Sequence, residues 1–176
     1  MSMSLLLAAA VAAAPAPDKG LPSTPDLGTA EGRCRPNESG PAFVIELAGL
    51  KDRKGLVKVE LYPNNDDDFL EDDNKLVAAG KTFRRVEMAV PPSGPVVLCI
   101  RAPAPGTYTL SLLHDRDSNR KFGLSSDGVG FPGDPKLGWS KPKASSATAT
   151  TGKGPTRITV TMQYRRGLFS FGPLNK

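Results

Sequence analysis

Apolar residues that recur at every second position most restrict the fold of this 176-residue chain. In residues 157–164, apolar Ile158, Val160, Met162 and Tyr164 alternate with polar side chains. A two-residue period places alternate side chains on opposite faces of a β-strand, so such a run needs a sheet that is buried on one face. Other alternating or apolar runs occupy residues 42–48, 56–62, 83–90, 96–101 and 107–113. Together with 18 Gly and 17 Pro, which interrupt helices and form turns, the runs predict one all-β domain, an antiparallel sandwich of about seven strands.

The spacing of these runs also predicts their arrangement. The polar turn 51–55, which ends in Gly55, predicts a hairpin between strands 42–48 and 56–62. Residues 83–90 alternate like an edge strand, whereas the nearly continuous apolar run 96–101 predicts a central strand that is covered on both faces.

The N-terminal segment indicates the compartment. Residues 5–14 form an apolar run that is too short to span a bilayer core of about 30 Å, and small residues follow in an A-x-A pattern. Although no Lys or Arg precedes it, this run favours a cleaved signal peptide over residues 1–16 rather than a buried helix. We therefore expect a periplasmic or secreted protein with no membrane span after cleavage. A disordered Pro- and Gly-rich leader (17–33), the β-sandwich domain (34–165) and a C-terminal tail (166–176) would follow.

Two cysteines, Cys34 and Cys99, are present. An oxidising compartment would allow them to form a disulfide, which would close a loop of about 65 residues and stabilise the fold by about 4 kcal/mol. The alternative is a pair of buried free thiols. A zinc or dithiol redox site is excluded, because the chain has one histidine and no second cysteine near either of these two.

The charges do not indicate a nucleic-acid-binding protein. The formal net charge is +5, and every charged residue after Asp134 is basic. No aromatic side chains alternate with these basic residues as a base-stacking surface requires. The acidic segment 64–75 is interpreted as a solvated loop with at most one helical turn, and a cation site there is the alternative.

A polar loop over residues 114–140 follows the strand at 107–113. Asp115, Asp117 and Asn119 have the alternating spacing of the start of a calcium loop. An EF-hand also needs Gly at the sixth position and Glu at the twelfth, where this chain has Arg120 and Ser126. Only a looser Ca²⁺ site is therefore possible.

Such a site could also recruit Asp127, Asp134 or the acids of residues 66–73. The alternative is a set of Asx turns, in which the short polar side chains bond backbone N–H groups and hold the loop.

The same loop holds the remaining candidates for function. His114 ends the inward face of its strand, where a histidine either bonds a buried acceptor or does chemistry. No G-x-S-x-G nucleophile motif accompanies it, so no catalytic residue is assigned. Trp139 either caps the open end of the sandwich or provides a stacking surface for a sugar or a peptide.

The pattern Pro105-Gly106-Thr107-Tyr108, His114-Asp115-x-Asp117-x-Asn119-x-Lys121, Gly130-x-Pro132-x-Asp134 and Gly138-Trp139-Ser140 resembles a bacterial exported family, DUF2141. The resemblance covers about residues 43–164. It implies an immunoglobulin-like or transthyretin-like sandwich and no established activity. This chain departs from the family pattern at Arg120 and Phe122, and it has Trp139 where the family usually has Phe.

Together these features predict a monomeric, non-catalytic binding or structural module. Its partner would be a protein or a glycan of the cell envelope, and its interaction loop would include His114, Asp127, Asp134 and Trp139. The alternative is a periplasmic hydrolase that uses His114 with carboxylates of the same loop.

Overall fold

The computed structural model of the chain describes residues 20–138, 140–168 and 170–174. The signal peptide predicted for residues 1–16 lies outside this range, as do the first three residues of the predicted leader. Strands account for 37% of the described residues and helices for 8%. The strands form two sheets, of three and seven strands, so the predicted all-β sandwich is confirmed.

The smaller sheet has the strand order β4-β1-β8. These strands are β1 (Ala42–Ala48), β4 (Val96–Arg101) and β8 (Pro155–Thr161). β1 lies in the middle, antiparallel to β4 and parallel to β8. The sandwich is therefore not entirely antiparallel, contrary to the prediction.

The larger sheet has the order β10-β9-β6-β5-β2-β3, and β7 pairs with the first half of β5. Its strands are β2 (Leu56–Tyr62), β3 (Arg84–Ala89), β5 (Gly106–Asp115), β6 (Gly128–Gly130), β7 (Thr148–Thr151), β9 (Gln163–Arg165) and β10 (Phe171–Gly172). The described residues form ten strands rather than about seven. The three strands without a predicted run, β6, β7 and β10, have two to four residues, too few to show an alternating pattern in the sequence.

The predicted hairpin of β1 and β2 is wrong. β1 pairs with β4 and β8, whereas β2 pairs with β3 and β5 in the other sheet. The turn at residues 51–55 therefore carries the chain from one sheet to the other. The two strands meet through buried side chains such as Ile45 and Val59, which belong to one core between the sheets.

The predicted positions of two other strands have different outcomes. β3 ends the larger sheet, as expected of an edge strand. β4 is not a central strand covered on both faces: it lies at an edge of the smaller sheet, and Val97 is 38% exposed. An apolar run can thus include a side chain that faces outward, and the sequence does not mark which one.

The last long alternating run divides between the sheets. β8 ends at Thr161, and β9 begins at Gln163 in the larger sheet. Met162, at the crossing point, is fully buried and donates its backbone N–H to Ala48 O. One continuous pattern therefore contributes to both sheets, because the inward face stays inward across the bend.

Apolar side chains form two clusters. The main core lies between the sheets and draws on β1, β2, β4, β5, β8 and β9. A second cluster includes Tyr62, Phe69, Leu76, Phe83 and Phe131. It covers part of the outer face of the larger sheet, although the alternation of apolar and polar residues along the strands predicts that this face is exposed to solvent.

The segments outside the strands pack against the sandwich. Residues 20–33 were expected to be disordered, but Thr29–Gly32 forms a helical turn, α1, against β3. The close approach requires small residues, since a Cβ on Gly32 would lie 2.7 Å from Arg85 O. The acidic segment contains a short helix, α2 (Asp73–Ala78), which supplies Leu76 to the second cluster. In the tail, β10 pairs with β9.

Cys34 and Cys99 form the predicted disulfide, with their Cα atoms 5.7 Å apart. The bond ties residues 20–33 to the edge strand β4. None of the helices within the described residues has the length and apolar character needed to cross a bilayer.

Candidate functional site

The end of β5 holds the buried histidine. His114 is fully buried, with Nδ1 2.6 Å from Tyr164 Oη and Nε2 2.9 Å from Lys54 O. Lys51 N–H donates to the same tyrosine oxygen, at 2.9 Å. Because a carbonyl only accepts, Nε2 carries the proton, and the Tyr164 hydroxyl donates to Nδ1. The imidazole is a neutral group whose two nitrogens are both bonded.

The electrostatics of this group favour its neutral form. Burial lowers the pKa of His114 and raises the pKa of Tyr164 to about 12. The nearby Asp52 carboxylate is held ionised by hydrogen bonds from Arg116, which lower its pKa. A general base needs a free nitrogen within reach of substrate, and His114 offers none. This geometry argues against the hydrolase alternative.

The Asx-rich start of the loop binds its own backbone. The Asp115 carboxylate accepts the backbone N–H groups of Asn119, at 3.2 Å, and Arg120, at 2.7 Å. Asp117 also accepts the Asn119 N–H, and the Asn119 side chain accepts the N–H of Lys121. Ser118 and Arg120 adopt positive φ, which such side-chain bonds help to hold. These contacts are those of the Asx-turn alternative.

Asp127 ties the far end of this loop to its start. It is 1% exposed, and its carboxylate accepts the backbone N–H groups of Arg116, at 3.1 Å, and Gly123, at 2.7 Å. One carboxylate oxygen from each of Asp115, Asp117 and Asp127 lies within 4.8 Å of the others. The sequence named Asp115, Asp117 and Asn119 as ligands, and Asp127 only as a possible addition.

The surroundings of Asp115 affect its protonation. Burial raises the pKa of Asp115, and the neighbouring Asp117 and Asp127 act in the same direction. The backbone N–H of Arg120 opposes this shift.

The other candidates lie apart from this cluster. The Asp134 carboxylate accepts the backbone N–H and the hydroxyl of Thr161, so it caps the end of edge strand β8. Trp139 lies outside the described residues. In the acidic segment, Asp68 is paired with Lys81, and Asp73 with Arg85.

An apolar groove on the outer face of the larger sheet was not predicted from the sequence. Its volume is about 390 Å³, within the range of roughly 300–1,000 Å³ that is usual for small-molecule sites. Strands β2, β5 and β6 supply its floor, with Lys58, Glu60, Ser111, Leu113 and Val129. Its walls come from the polar loop, from residues 137–138 and 140–142, and from β10.

The groove gathers exposed apolar side chains. Leu70, Phe122 and Leu124 are 38%, 49% and 50% exposed, and all three line it. The Phe122 and Phe171 rings lie with their centroids 6.1 Å apart. The available signal in the sequence was Phe122 and Leu124, two large apolar residues within the otherwise polar segment 115–126.

Comparison with known proteins places the chain in a family. Residues 45–159 match the family model described as "Uncharacterized protein conserved in bacteria (DUF2141)". The chain belongs to the DUF2141 family. No curated protein and no solved structure matches it.

The DUF2141 match includes His114, the carboxylate cluster and most of the groove. Tyr164, which bonds His114, and Phe171, which lines the groove, lie after the matched residues of this DUF2141 protein. The family description assigns no activity.

Proposed function

We propose that this DUF2141 protein is an exported, non-catalytic binding module that holds an apolar ligand in the groove on the outer face of its larger sheet. The observation that carries the proposal is the gathering of Leu70, Phe122 and Leu124 around one concave site of about 390 Å³. Contiguous exposed apolar surface is uncommon on monomeric proteins and is typical of interaction sites.

The fold supports this role by fixing the groove between rigid elements. The floor consists of paired strands, and the loop that bears Phe122 and Leu124 is held at its base by buried Asp115 and Asp127. A site that is held in shape before binding loses less conformational entropy when a ligand enters.

Export is supported by two features. The N-terminal apolar run has the pattern of a signal peptide, and the disulfide is of the kind that persists in oxidising compartments. Non-catalytic function is supported by His114, whose ring nitrogens are both occupied in the core.

A fluorescent apolar probe, N-phenyl-1-naphthylamine, tests the groove. We expect its fluorescence to rise on binding to the wild type, and Phe122→Ser or Leu124→Ser to weaken that binding about tenfold. Burial of one such side chain against ligand stabilises by roughly 1.5–3 kcal/mol. Val97→Thr, an exposed apolar position on the smaller sheet, is the matched control. Equal probe binding by all four proteins would contradict the proposal.

A cation at Asp115, Asp117 and Asp127 is a second candidate, supported by their convergence within 4.8 Å. Carboxylate oxygens suit Ca²⁺, and the bound ion would stiffen the wall of the groove. The backbone N–H groups that these carboxylates already accept, together with nearby Arg116, favour a turn scaffold instead.

Calorimetric titration with Ca²⁺, and thermal melts with Ca²⁺, Zn²⁺ or EDTA, separate the two roles. If the three carboxylates bind Ca²⁺, we expect Ca²⁺ to raise the Tm. Asp117→Asn, at the exposed carboxylate of the three, should abolish that rise. If no ion changes the melt and the substitution lowers Tm equally with and without Ca²⁺, the loop is a scaffold only.

A further inference from the structure

One side of the groove floor is a row of charged side chains. Strand β2 supplies Lys58 and Glu60, whose side chains are 16% and 10% exposed and whose Nζ and Oε1 atoms lie 3.0 Å apart. Lys58 is directly opposite Glu87 on edge strand β3. Glu60 is directly opposite Arg85 on the same strand. Opposite charges therefore lie side by side on this part of the outer face, the arrangement that stabilises neighbouring strands.

Every charge in this row has a partner of opposite sign. Arg85 Nη2 lies 2.8 Å from Glu60 Oε1 and 2.9 Å from Asp73 Oδ2. Arg120 Nε lies 3.1 Å from Glu87 Oε1. The paired set has three cations and three carboxylates, which are Lys58, Arg85, Arg120, Glu60, Asp73 and Glu87. Its net charge is zero.

A balanced set of this kind disfavours a charged ligand of either sign. A ligand carboxylate at the floor would lie beside the Glu60 carboxylate, and a ligand ammonium would lie beside Lys58. The opposite charge in each case is already engaged inside the protein. A charged group that leaves water without gaining a partner loses hydration free energy that nothing restores, whereas an uncharged ligand avoids this loss.

The rest of the floor is uncharged. Ser111 on β5 is directly opposite Glu60, at the boundary of the charged row. Leu113 and Val129 continue the floor away from that row. A serine hydroxyl has one donor and two acceptor lone pairs, so it can bond the hydroxyl group of a ligand. Ser111 thus places a neutral polar group where the charged row meets apolar surface.

We propose that the groove binds an uncharged amphiphile, a hydrocarbon chain that ends in a hydroxyl group, and that it rejects the corresponding acid and amine. The hydrocarbon lies against Phe122, Leu124 and Phe171, and the hydroxyl bonds Ser111. This inference rests on the proposed function and adds the chemical class of the ligand. The apolar walls remove the hydrocarbon from water, and the charge balance of the floor selects the neutral end.

Three ligands with the same ten-carbon chain test the inference on the full protein. Decanol is uncharged, decanoate is an anion and decylammonium is a cation at neutral pH. Each is titrated against bound N-phenyl-1-naphthylamine. We expect decanol to displace the probe about tenfold more tightly than either charged ligand, a difference of about 1.4 kcal/mol.

Variants that unbalance the floor test the physical cause. Lys58→Met leaves the set with a net negative charge and should tighten decylammonium about threefold, as expected for a partly exposed ion pair. Glu87→Gln, beside Lys58 and outside the groove, leaves a net positive charge and should tighten decanoate by a similar factor. Lys153→Met, at an exposed lysine elsewhere, is the charge-matched control and should change neither. A thermal melt of each variant confirms that it is folded.

The outcomes separate the inference from the proposed function. If decanol does not displace the probe, or if either charged ligand displaces it as tightly, the inference is wrong while the apolar groove stands. The same holds if Lys58→Met and Glu87→Gln leave the affinities of the charged ligands unchanged. If no ligand displaces the probe and Phe122→Ser leaves probe binding unchanged, both are wrong.

Discussion

Removal of one hydroxyl group tests the interpretation of the buried histidine. In Tyr164→Phe the ring is kept, but His114 Nδ1 loses its donor at 2.6 Å, and Lys51 N–H loses its acceptor at 2.9 Å. His114 is fully buried, so water cannot replace the lost donor without opening the core. The substitution therefore leaves an unpaired acceptor inside the protein.

The magnitude follows from burial. An unsatisfied buried polar group costs about 1–3 kcal/mol, whereas an N–H at an exposed residue such as Lys51 can bond water at little cost. We expect Tyr164→Phe to lower the free energy of unfolding by about 2 kcal/mol. For a domain of this size the Tm should fall by about 4–8 °C.

Equilibrium urea unfolding measures this change. The m-value should stay constant, because the two proteins expose nearly the same surface on unfolding, and the midpoint should shift. Tyr108→Phe is the matched control, since Tyr108 Oη donates to Ala104 O at 3.0 Å on the exposed surface. We expect that control to change stability by less than about 0.5 kcal/mol.

Equal destabilisation by the two substitutions would refute the reasoning. It would mean that the Tyr164 hydroxyl contributes no more than a surface hydroxyl, and that His114 does not depend on it for a hydrogen bond.

Other predictions concern pH, packing and the disulfide. Burial lowers the pKa of His114, so the unfolded state binds more protons than the folded state below about pH 6.5. The contribution of His114 to stability should therefore be full above that pH and be lost as the pH falls through the folded pKa. Urea midpoints measured between pH 4 and 8 should show a slope of at most about 1.4 kcal/mol per pH unit. The pKa of Tyr164 is raised to about 12, so its contribution to stability should be full below pH 10 and decrease between pH 10 and 12. Burial also raises the pKa of Tyr62, so Tyr164→Phe should make the overall decrease smaller without removing it, and an unchanged decrease would contradict the assignment. Gly128→Ala should destabilise by about 1–3 kcal/mol in thermal melts, because its Cβ would lie 2.4 Å from the Tyr164 ring, whereas Gly138→Ala, with open space around it, should change little. Replacement of both cysteines by serine should lower the free energy of unfolding by about 4 kcal/mol, and an unchanged urea midpoint would show that the bond constrains nothing.

The candidate site was only partly predictable. Strand spacing placed His114 on an inward face, and the Asx pattern identified a loop held by its own side chains, as Asp115 and Asn119 show. The partners of His114 were not predictable, because Tyr164 is 50 residues away and reaches it through a strand that changes sheets. The groove was missed for a similar reason: Phe122 and Phe171 are brought together only by the fold.

The longer strands and most of their inward-facing side chains could be predicted from the sequence, since a two-residue period is a local property of the backbone. The sequence did not determine which strands are neighbours. Inward faces look the same in sequence whether two strands share a sheet or face each other across the core, so β1 and β2 appeared to form a hairpin. β1 and β2 lie in opposite sheets, which the alternating pattern of each strand does not indicate. The choice of neighbouring strands depends on how the side chains of both sheets pack into one core, and that packing exists only in the folded protein.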